Sequence, residues 1–165
     1  MNTAAARSPQ LIRDASEAFG PNVIVAIDCK RRFESRVDRT IITVENGAKA
    51  WYDIVTYGGR QSTGFDAVEW ARRVQSLGAS EILLTSKDRD GTRSGYDLPI
   101  TKAIAEAVSI PVIASGGVGN PQHMYEAFRE AKADACLAAS IFHYGEYTVG
   151  DTKRFLKEKG IGVRT

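Results

Sequence analysis

The feature that most limits how this chain can fold is a regular alternation of apolar, strand-like runs with helical segments. Residues 23–27 form a continuous apolar stretch rich in β-branched residues, which is typical of a parallel strand covered on both faces. Similar runs recur along the chain, and segments with apolar residues at helical spacing lie between them. The pattern predicts a parallel (βα)4 array. Its strands are expected at residues 23–27, 81–85, 111–114 and 135–138, and its helices at 65–77, 99–108, 121–131 and 149–159 after a first helix at 8–19.

The length of the chain indicates what this array corresponds to. A complete (β/α)8 barrel needs about 250 residues, whereas this chain has 165. We therefore predict an α/β fold that is the (βα)4 half of a TIM barrel, with residues 1–165 as a single half-barrel domain. Residues 1–5 resemble the end of a further strand that lacks its apolar body.

An Asn-Gly pair interrupts the alternation after the first full strand. Asn46-Gly47 lies between residues 40–44 and 50–56, which both have strand-like composition, and this dipeptide is the strongest short-range hairpin signal. We expect a small antiparallel β-hairpin insertion at about residues 38–58, outside the core sheet. The hairpin is either a lid over a site or a plain surface insertion.

Composition argues against several classes of function. The net charge is +2 and no basic run contains aromatic residues, so no nucleic-acid partner is expected. No apolar run approaches the length of about 18 residues that crosses a membrane, and the amino terminus lacks the apolar core of a signal peptide. Cys29 and Cys136 lie far from each other and show no ligand spacing with the two histidines, so we expect a cytoplasmic protein without disulfides or metal. No Gly-rich dinucleotide motif follows the first strand, and no cofactor is expected.

Small residues that follow two of the predicted strands indicate a phosphate site. Ser115-Gly116-Gly117-Val118 follows the third strand, and Ala139-Ser140 follows the fourth. Such turns present free backbone N–H groups, and a short helix that starts beside them adds partial positive charge. Paired turns of this kind form the phosphate cradle of (β/α)8 barrels. The alternative is that these are ordinary loop and cap residues.

Carboxylates occupy the same ends of the predicted strands. Asp28 closes the first full strand, and Asp88 and Asp90 follow the second. Ligands of parallel α/β folds bind at the carboxyl ends of the strands, and partial burial there would raise the pKa of Asp28 toward that of a general acid or base. The alternative for Asp28 is a structural ion pair with Lys30 or Arg31.

Several motifs follow one another over essentially the whole chain. They are Val25-Ala26-Ile27-Asp28-Cys29-Lys30-Arg31, Asp88-Arg89-Asp90-Gly91-Thr92, Ser94-Gly95-Tyr96-Asp97, Ala114-Ser115-Gly116-Gly117 and Leu137-Ala138-Ala139-Ser140. Together they resemble the second half of the cyclase subunit of imidazole glycerol phosphate synthase, an enzyme of histidine biosynthesis. A sister isomerase of the same pathway shares the Arg-Asp-Gly-Thr and Ser-Gly-Gly segments, but the Asp-x-Lys-Arg and Ser-Gly-Tyr-Asp runs favour the cyclase.

The resemblance implies a (β/α)8 barrel of two similar halves, each with one phosphate site and one catalytic aspartate. A glutaminase partner supplies ammonia, which reacts with a phosphorylated ribonucleotide to give imidazole glycerol phosphate and an aminoimidazole carboxamide ribotide. By this resemblance Asp28 is the catalytic aspartate of the second half, and Glu81 is a gate residue at the ammonia entrance. The implied phosphate contacts are Asn2 and Thr3 in the first-half site, and Asp90, Gly91, Gly117, Val118, Ala139 and Ser140 in the second.

The absence of first-half sequence leads to two further expectations. One catalytic aspartate has no counterpart here, so the isolated chain is expected to bind phosphate but to be poorly active. The outer strands would present unpaired edges, which predicts pairing with an amino-terminal half-barrel or self-association. The alternatives are a non-catalytic phosphate-binding or assembly module and, third, an isomerase-like sugar-phosphate enzyme. Apolar residues expected to face the barrel interior are Val25, Ile27, Leu83, Ile113 and Leu137.

Overall fold

The structure is a computed structural model that describes residues 1–34 and 36–164. Within these residues seven strands form one sheet. None of the helices described there combines the length and the apolar composition that spanning a lipid bilayer requires. The strands are β1 (Ile24–Arg32), β2 (Ile42–Thr43), β3 (Lys49–Thr56), β4 (Gln61–Asp66), β5 (Glu81–Ser86), β6 (Val112–Ser115) and β7 (Ala135–Cys136). The helices are α1 (Thr3–Arg7), α2 (Gln10–Phe19), α3 (Ala67–Ser76), α4 (Leu98–Ala107), α5 (Pro121–Arg129), α6 (Ser140–His143) and α7 (Val149–Glu158).

Four strands run parallel and form the larger part of the sheet. β1 pairs with β5, β5 with β6, and β6 with β7. Helices α3, α4 and α5 lie in the three connections between them, which is how parallel neighbours are joined. The prediction of an α/β fold with a mostly parallel sheet is confirmed.

The core lies on the helix-covered face of the sheet. Val25, Ile27 and Cys29 of β1 are fully buried, as are Ile82 and Leu84 of β5 apart from a trace of exposure. All five belong to one apolar cluster that includes side chains of α3 and α4. This face therefore supplies most of the hydrophobic stabilisation of the parallel strands.

The opposite face of the sheet is more open. Successive side chains alternate between faces, so the partly buried Asp28 lies on the face that Val25 and Ile27 do not use. The expectation that Val25 and Ile27 face a barrel interior is therefore wrong, because both pack against helices. Ile24 and Leu137, at the two outer parallel strands, are 44% and 42% exposed.

The antiparallel strands belong to the main sheet, which corrects the expectation of an insertion outside the core. β2 and β3 pair across a turn in which Gly47 has φ +80°. β3 continues alongside β1 in antiparallel register, and all of its side chains after Lys49 are buried. β4 pairs with the other edge of β3 and extends to Asp66, although residues 65 and 66 were expected to begin a helix. The reason is that β3 carries large side chains on both faces, namely Trp51 on one face and Tyr52 and Ile54 on the other. A strand of this kind is stable only where both of its faces are covered.

The first residues form a helix instead of the expected strand end. Thr3–Arg7 is α1, which suits its three successive alanines. Only Met1 pairs with the sheet: its amino group donates to the Ile24 carbonyl, and its carbonyl accepts from the Ala26 N–H, both at 2.9 Å.

Candidate functional site

The carboxyl ends of the parallel strands align the predicted site residues in one row. In the sheet register, Asp28 of β1 lies beside Thr85 of β5, and Thr85 lies beside Ser115 of β6. Each of the three is partly buried and directly follows a buried residue of its strand, so they share the open face of the sheet. The loops that follow these strands therefore meet at one edge.

A cavity of about 190 Å³ lies where these loops meet. Its walls come from the loop after β5, the turn after β6 and the start of α6. The structure thus brings together the residues that were predicted for the second-half phosphate site, and it adds Arg93 and Leu137. The lining residues are Asp90, Gly91, Arg93, Ser115, Gly116, Gly117, Val118, Leu137, Ala139 and Ser140.

Gly117 forms the wall of this cavity at a point with no room for a side chain. Its φ is +98°, which L side chains rarely adopt, and a Cβ there would overlap the carbonyl oxygen of Gly95 and contact Arg89. The Gly95 N–H donates to the Gly117 carbonyl at 2.7 Å. This close approach fastens the loop after β5 to the turn after β6.

Asp28 is half-buried and accepts a hydrogen bond from the first residues of the chain. Nδ2 of Asn2 donates to Oδ2 of Asp28 at 2.8 Å. Burial raises the pKa of Asp28 above its ordinary value, while Lys87 and the hydrogen bond from Asn2 act in the opposite direction. Within the described residues Asp28 forms no ion pair with Lys30, which is exposed, or with Arg31, which pairs with other carboxylates. A carboxyl with a raised pKa at the ligand-binding edge of a sheet suits acid–base chemistry.

The remaining predicted residues lie away from the cavity. Asn2 is beside Asp28, and the Oγ1 of Thr3 accepts from the Tyr57 N–H at 3.1 Å, in the turn between β3 and β4. Glu81 begins β5, four residues before the point where Thr85 faces Asp28. At about 3.3 Å per residue, Glu81 is roughly 13 Å from that row, at the amino ends of the parallel strands.

A buried ion pair beside the site was missed by the sequence analysis. Asp97, whose side chain is 2% exposed, accepts from Nε and a terminal nitrogen of Arg31 at 3.0 and 2.8 Å. The hydroxyls of Tyr52 and Ser86 donate to the same carboxylate at 2.8 and 2.7 Å. We call these four residues the Asp97 cluster. It joins β1, β3, β5 and the residue before α4, and no local pattern could reveal it because Arg31 and Asp97 are 66 residues apart.

Glu45 connects the β2–β3 turn to this cluster. Its Oε1 accepts from Arg31 at 3.0 Å and also from Arg89. Partial burial alone would raise the pKa of Glu45, but hydrogen bonds from Arg31, its own backbone and Arg89 lower it to about 2. Since Arg89 also packs against Gly117, a chain of contacts runs from the turn to the cavity wall.

A second and larger cavity lies outside the predicted site. It has a volume of about 460 Å³ and lies between α1 and the β3–β4 turn. The sequence contains no local signal for this cavity, because its lining residues come from separate segments of the chain. The lining residues are Ala6, Arg7, Thr56, Tyr57, Gln61, Ser62, Thr63 and Phe65.

The cysteines and histidines have structural surroundings. Cys29 is buried, which raises the pKa of its thiol well above the ordinary value. Nδ1 of His123 accepts a hydrogen bond from the Gly119 N–H at 3.0 Å, and His143 lies on α6 against the ring of Tyr144. Across residues 1–34 and 36–164, the His, Cys, Asp and Glu side chains form no group suited to a metal ion.

Comparison with known proteins gives consistent matches. Residues 1–148 match a family described as histidine biosynthesis protein. Curated relatives named imidazole glycerol phosphate synthase subunit HisF are 57%, 54% and 51% identical to this chain, and come from Methanosarcina mazei, Methanosarcina acetivorans and Methanocaldococcus jannaschii. Each match covers 99% of this chain. The chain spans 61% of the length of the two Methanosarcina proteins and 62% of the third.

Proposed function

The chain belongs to the histidine biosynthesis protein family, and we propose that it is the carboxyl-terminal half of the cyclase that forms imidazole glycerol phosphate. In this proposal residues 1–165 are one half-barrel domain, with β1, β5, β6 and β7 as the four strands of a (βα)4 unit. The observation that carries the proposal is the cavity at the carboxyl ends of these strands, with Asp28 in the same row. The shared name of the relatives supports the same reaction.

The proposed reaction is that of a lyase acting on a phosphorylated aminoimidazole ribonucleotide precursor. Ammonia from a glutaminase subunit joins the precursor, which is cyclised and cleaved into imidazole glycerol phosphate and the carboxamide ribotide. Asp28 is proposed to move a proton, and its raised pKa supports this role because general acid–base catalysis is most efficient near the working pH. The second aspartate would come from an amino-terminal half. Glu81 is proposed to lie on the ammonia path, and the free thiols fit a cytoplasmic setting.

We assign one phosphate of the substrate to the cavity. Backbone N–H groups in the turn after β6 and the hydroxyl of Ser140 are suitable donors, and Arg93 supplies positive charge at the wall. The left-handed φ values of Gly116 and Gly117, +87° and +98°, support this because successive glycines expose backbone donors. Asn2, which donates to Asp28, and Thr3, which contacts the β3–β4 turn, are proposed to contribute to the second phosphate site.

Adding negative charge to the cavity should weaken anion binding. We expect Ala139→Glu to weaken sulfate and phosphate binding by about tenfold or more, because a carboxylate at this exposed wall position repels the anion. Gly117→Asp should have the same effect with added backbone strain. The control is Gly47→Asp, at φ +80° with no atom within 4 Å of a Cβ, in the β2–β3 turn. Isothermal titration calorimetry measures the affinities, and tight binding by Ala139→Glu would move the phosphate site elsewhere.

The complete reaction should need first-half sequence that residues 1–165 do not contain. We expect the isolated chain to show no measurable ammonia-dependent turnover, since one proposed catalytic aspartate is lacking. A fragment carrying the part of the Methanosarcina mazei relative that this chain does not cover should restore turnover. Product formation from the ribonucleotide precursor and ammonium is the measurement. Rapid turnover by residues 1–165 alone would overturn the proposal that they form only half of the active site.

The same edges support association. Within the described residues β7 is the last strand of the sheet on one side, and β1 meets only Met1 along residues 24–28 on the other. Exposed Ile24 and Leu137 at these edges favour a complementary half-barrel or a second copy as partner.

A second candidate function is a non-catalytic phosphate-binding or assembly module. The observation that favours it is that, within the described residues, the loop after β5, the turn after β6 and the start of α6 form the cavity without any other segment. Anion binding without restored turnover in the complementation experiment would select this alternative.

A further inference from the structure

Lys87 pairs with a wall residue of the proposed phosphate cavity and lies at the end of the strand next to Asp28. It follows β5 directly, and its N–H donates to the Cys29 carbonyl at 2.8 Å. Because it is two residues beyond Thr85, the register partner of Asp28, its side chain starts from the same face of the sheet as Asp28. Its Nζ donates to Oδ2 of Asp90, a wall residue of the cavity, at 2.5 Å.

The stem of Lys87 is held in this position by packing. A Cβ placed on Gly59, in the β3–β4 turn, would lie 3.3 Å from Cε and 3.4 Å from Cγ of Lys87. The backbone of that turn therefore covers the alkyl chain, and the Lys87 side chain is only 26% exposed. Such packing leaves the ammonium group as the part that can change partners.

The other cations of the same loop are held by residues outside the row. Arg89 pairs with Glu45 and the Ser94 hydroxyl, and Arg93 pairs with Glu146. Lys87 differs from these two arginines, because its ion-pair partner Asp90 is a residue of the cavity wall. A partly exposed pair of this kind is weak because water screens the attraction, so an entering anion can compete for the ammonium group.

An aspartate in the wall of an anion site presents an electrostatic problem. An unpaired Asp90 carboxylate would repel a phosphate, because both groups carry negative charge. Pairing with Lys87 removes this repulsion and leaves the backbone donors to act. Asp28 has the converse problem, because half-burial disfavours its ionised form.

We propose that Lys87 is a positioning residue of the proposed site, which neutralises Asp90 so that a phosphate can enter and which keeps the neighbouring Asp28 ionised for proton transfer. The inference rests on the proposed phosphate site for its first part only. The charged groups that act on Asp28 are Lys87, which lowers its pKa, and Asp90, which raises it, and Asn2 adds an amide hydrogen bond from the chain start.

The test compares Lys87→Met, which retains the stem, with Lys87→Arg, which retains the charge. We expect Lys87→Met to weaken sulfate binding about tenfold, and Lys87→Arg to stay within about threefold of the parent chain. Sulfate is the probe because it keeps its charge across the pH range used. The matched control is Lys132→Met, whose ammonium donates to Glu106 at 2.7 Å near the amino end of β7.

A second measurement does not depend on anion binding. Nuclear magnetic resonance titration of the Asp28 side-chain carboxyl should give a higher pKa in Lys87→Met than in the parent chain, and Lys87→Arg should restore it. Unchanged Asp28 titration and unchanged sulfate affinity in Lys87→Met would overturn the inference. If the parent chain binds no sulfate but Lys87→Met still raises the pKa of Asp28, the phosphate site is wrong and the role of Lys87 toward Asp28 stands.

Discussion

The Arg31→Met variant is expected to lose about 3–5 kcal/mol of unfolding free energy, because it leaves a buried carboxylate without its cation. Arg31 is 12% exposed and Asp97 2% exposed, and two hydrogen bonds of 3.0 and 2.8 Å join them. The Tyr52 and Ser86 hydroxyls remain as donors, but neither neutralises the charge. Urea unfolding at neutral pH, with the m-value checked for a two-state transition, measures the loss.

The control for this prediction is Arg72→Met on α3. Arg72 pairs with Glu69 one turn earlier, and both side chains are more than half exposed. Such surface pairs contribute about 0–1 kcal/mol, so the control should change stability little. Equal losses in the two variants would show that burial of the Asp97 cluster carries no special energetic weight.

The Asp28→Asn variant is expected to lower turnover of the complemented enzyme by about 10²-fold or more, because an amide cannot exchange the proton. The hydrogen bond from Asn2 can persist, since the oxygen of asparagine still accepts. The control is Asp14→Asn on α2, an exposed aspartate that also accepts an amide hydrogen bond, from Gln10 at 2.9 Å. Steady-state rates at saturating ammonium measure the effect, and a fall of less than threefold would remove Asp28 from the chemistry.

The same variant should be more stable than the parent chain at pH 7. Burial raises the pKa of Asp28 in the folded state, so the folded protein binds more protons than the unfolded one between the two pKa values. Stability is therefore lost as the pH rises through this window, and the loss persists at higher pH. Asparagine removes it, so the two chains should converge as the pH falls toward about 4, the ordinary pKa of aspartate.

The parallel strands and the family resemblance were accessible from sequence. Runs such as residues 23–27 and 81–85 carry their own signal, because composition alone marks a strand buried against helices. The comparisons confirm the resemblance to the cyclase family. The residues of the cavity also carry a local signal, since Gly117 needs a left-handed φ where another backbone passes.

The sequence alone did not predict which face of the sheet each side chain occupies, nor which residues form the long-range ion pairs. Val25 and Ile27 were assigned to the wrong face, although alternation from Asp28 contains the information needed to place them. The position of β3 in the main sheet depends on its register with β1, which no local pattern encodes. The same holds for Arg31 and Asp97, which meet only after β1, β3 and β5 have assembled.

The division of β1 between two neighbours has a consequence for aggregation. On the side away from β5, β3 occupies residues 29–32 of β1, and Met1 already takes the Ile24 carbonyl and the Ala26 N–H. An incoming strand can therefore pair with only a few backbone groups of β1 before it meets β3. Short edges of this kind limit indefinite strand addition. β3 therefore limits the length of any further strand pairing along β1, and this limit disfavours growth into fibres.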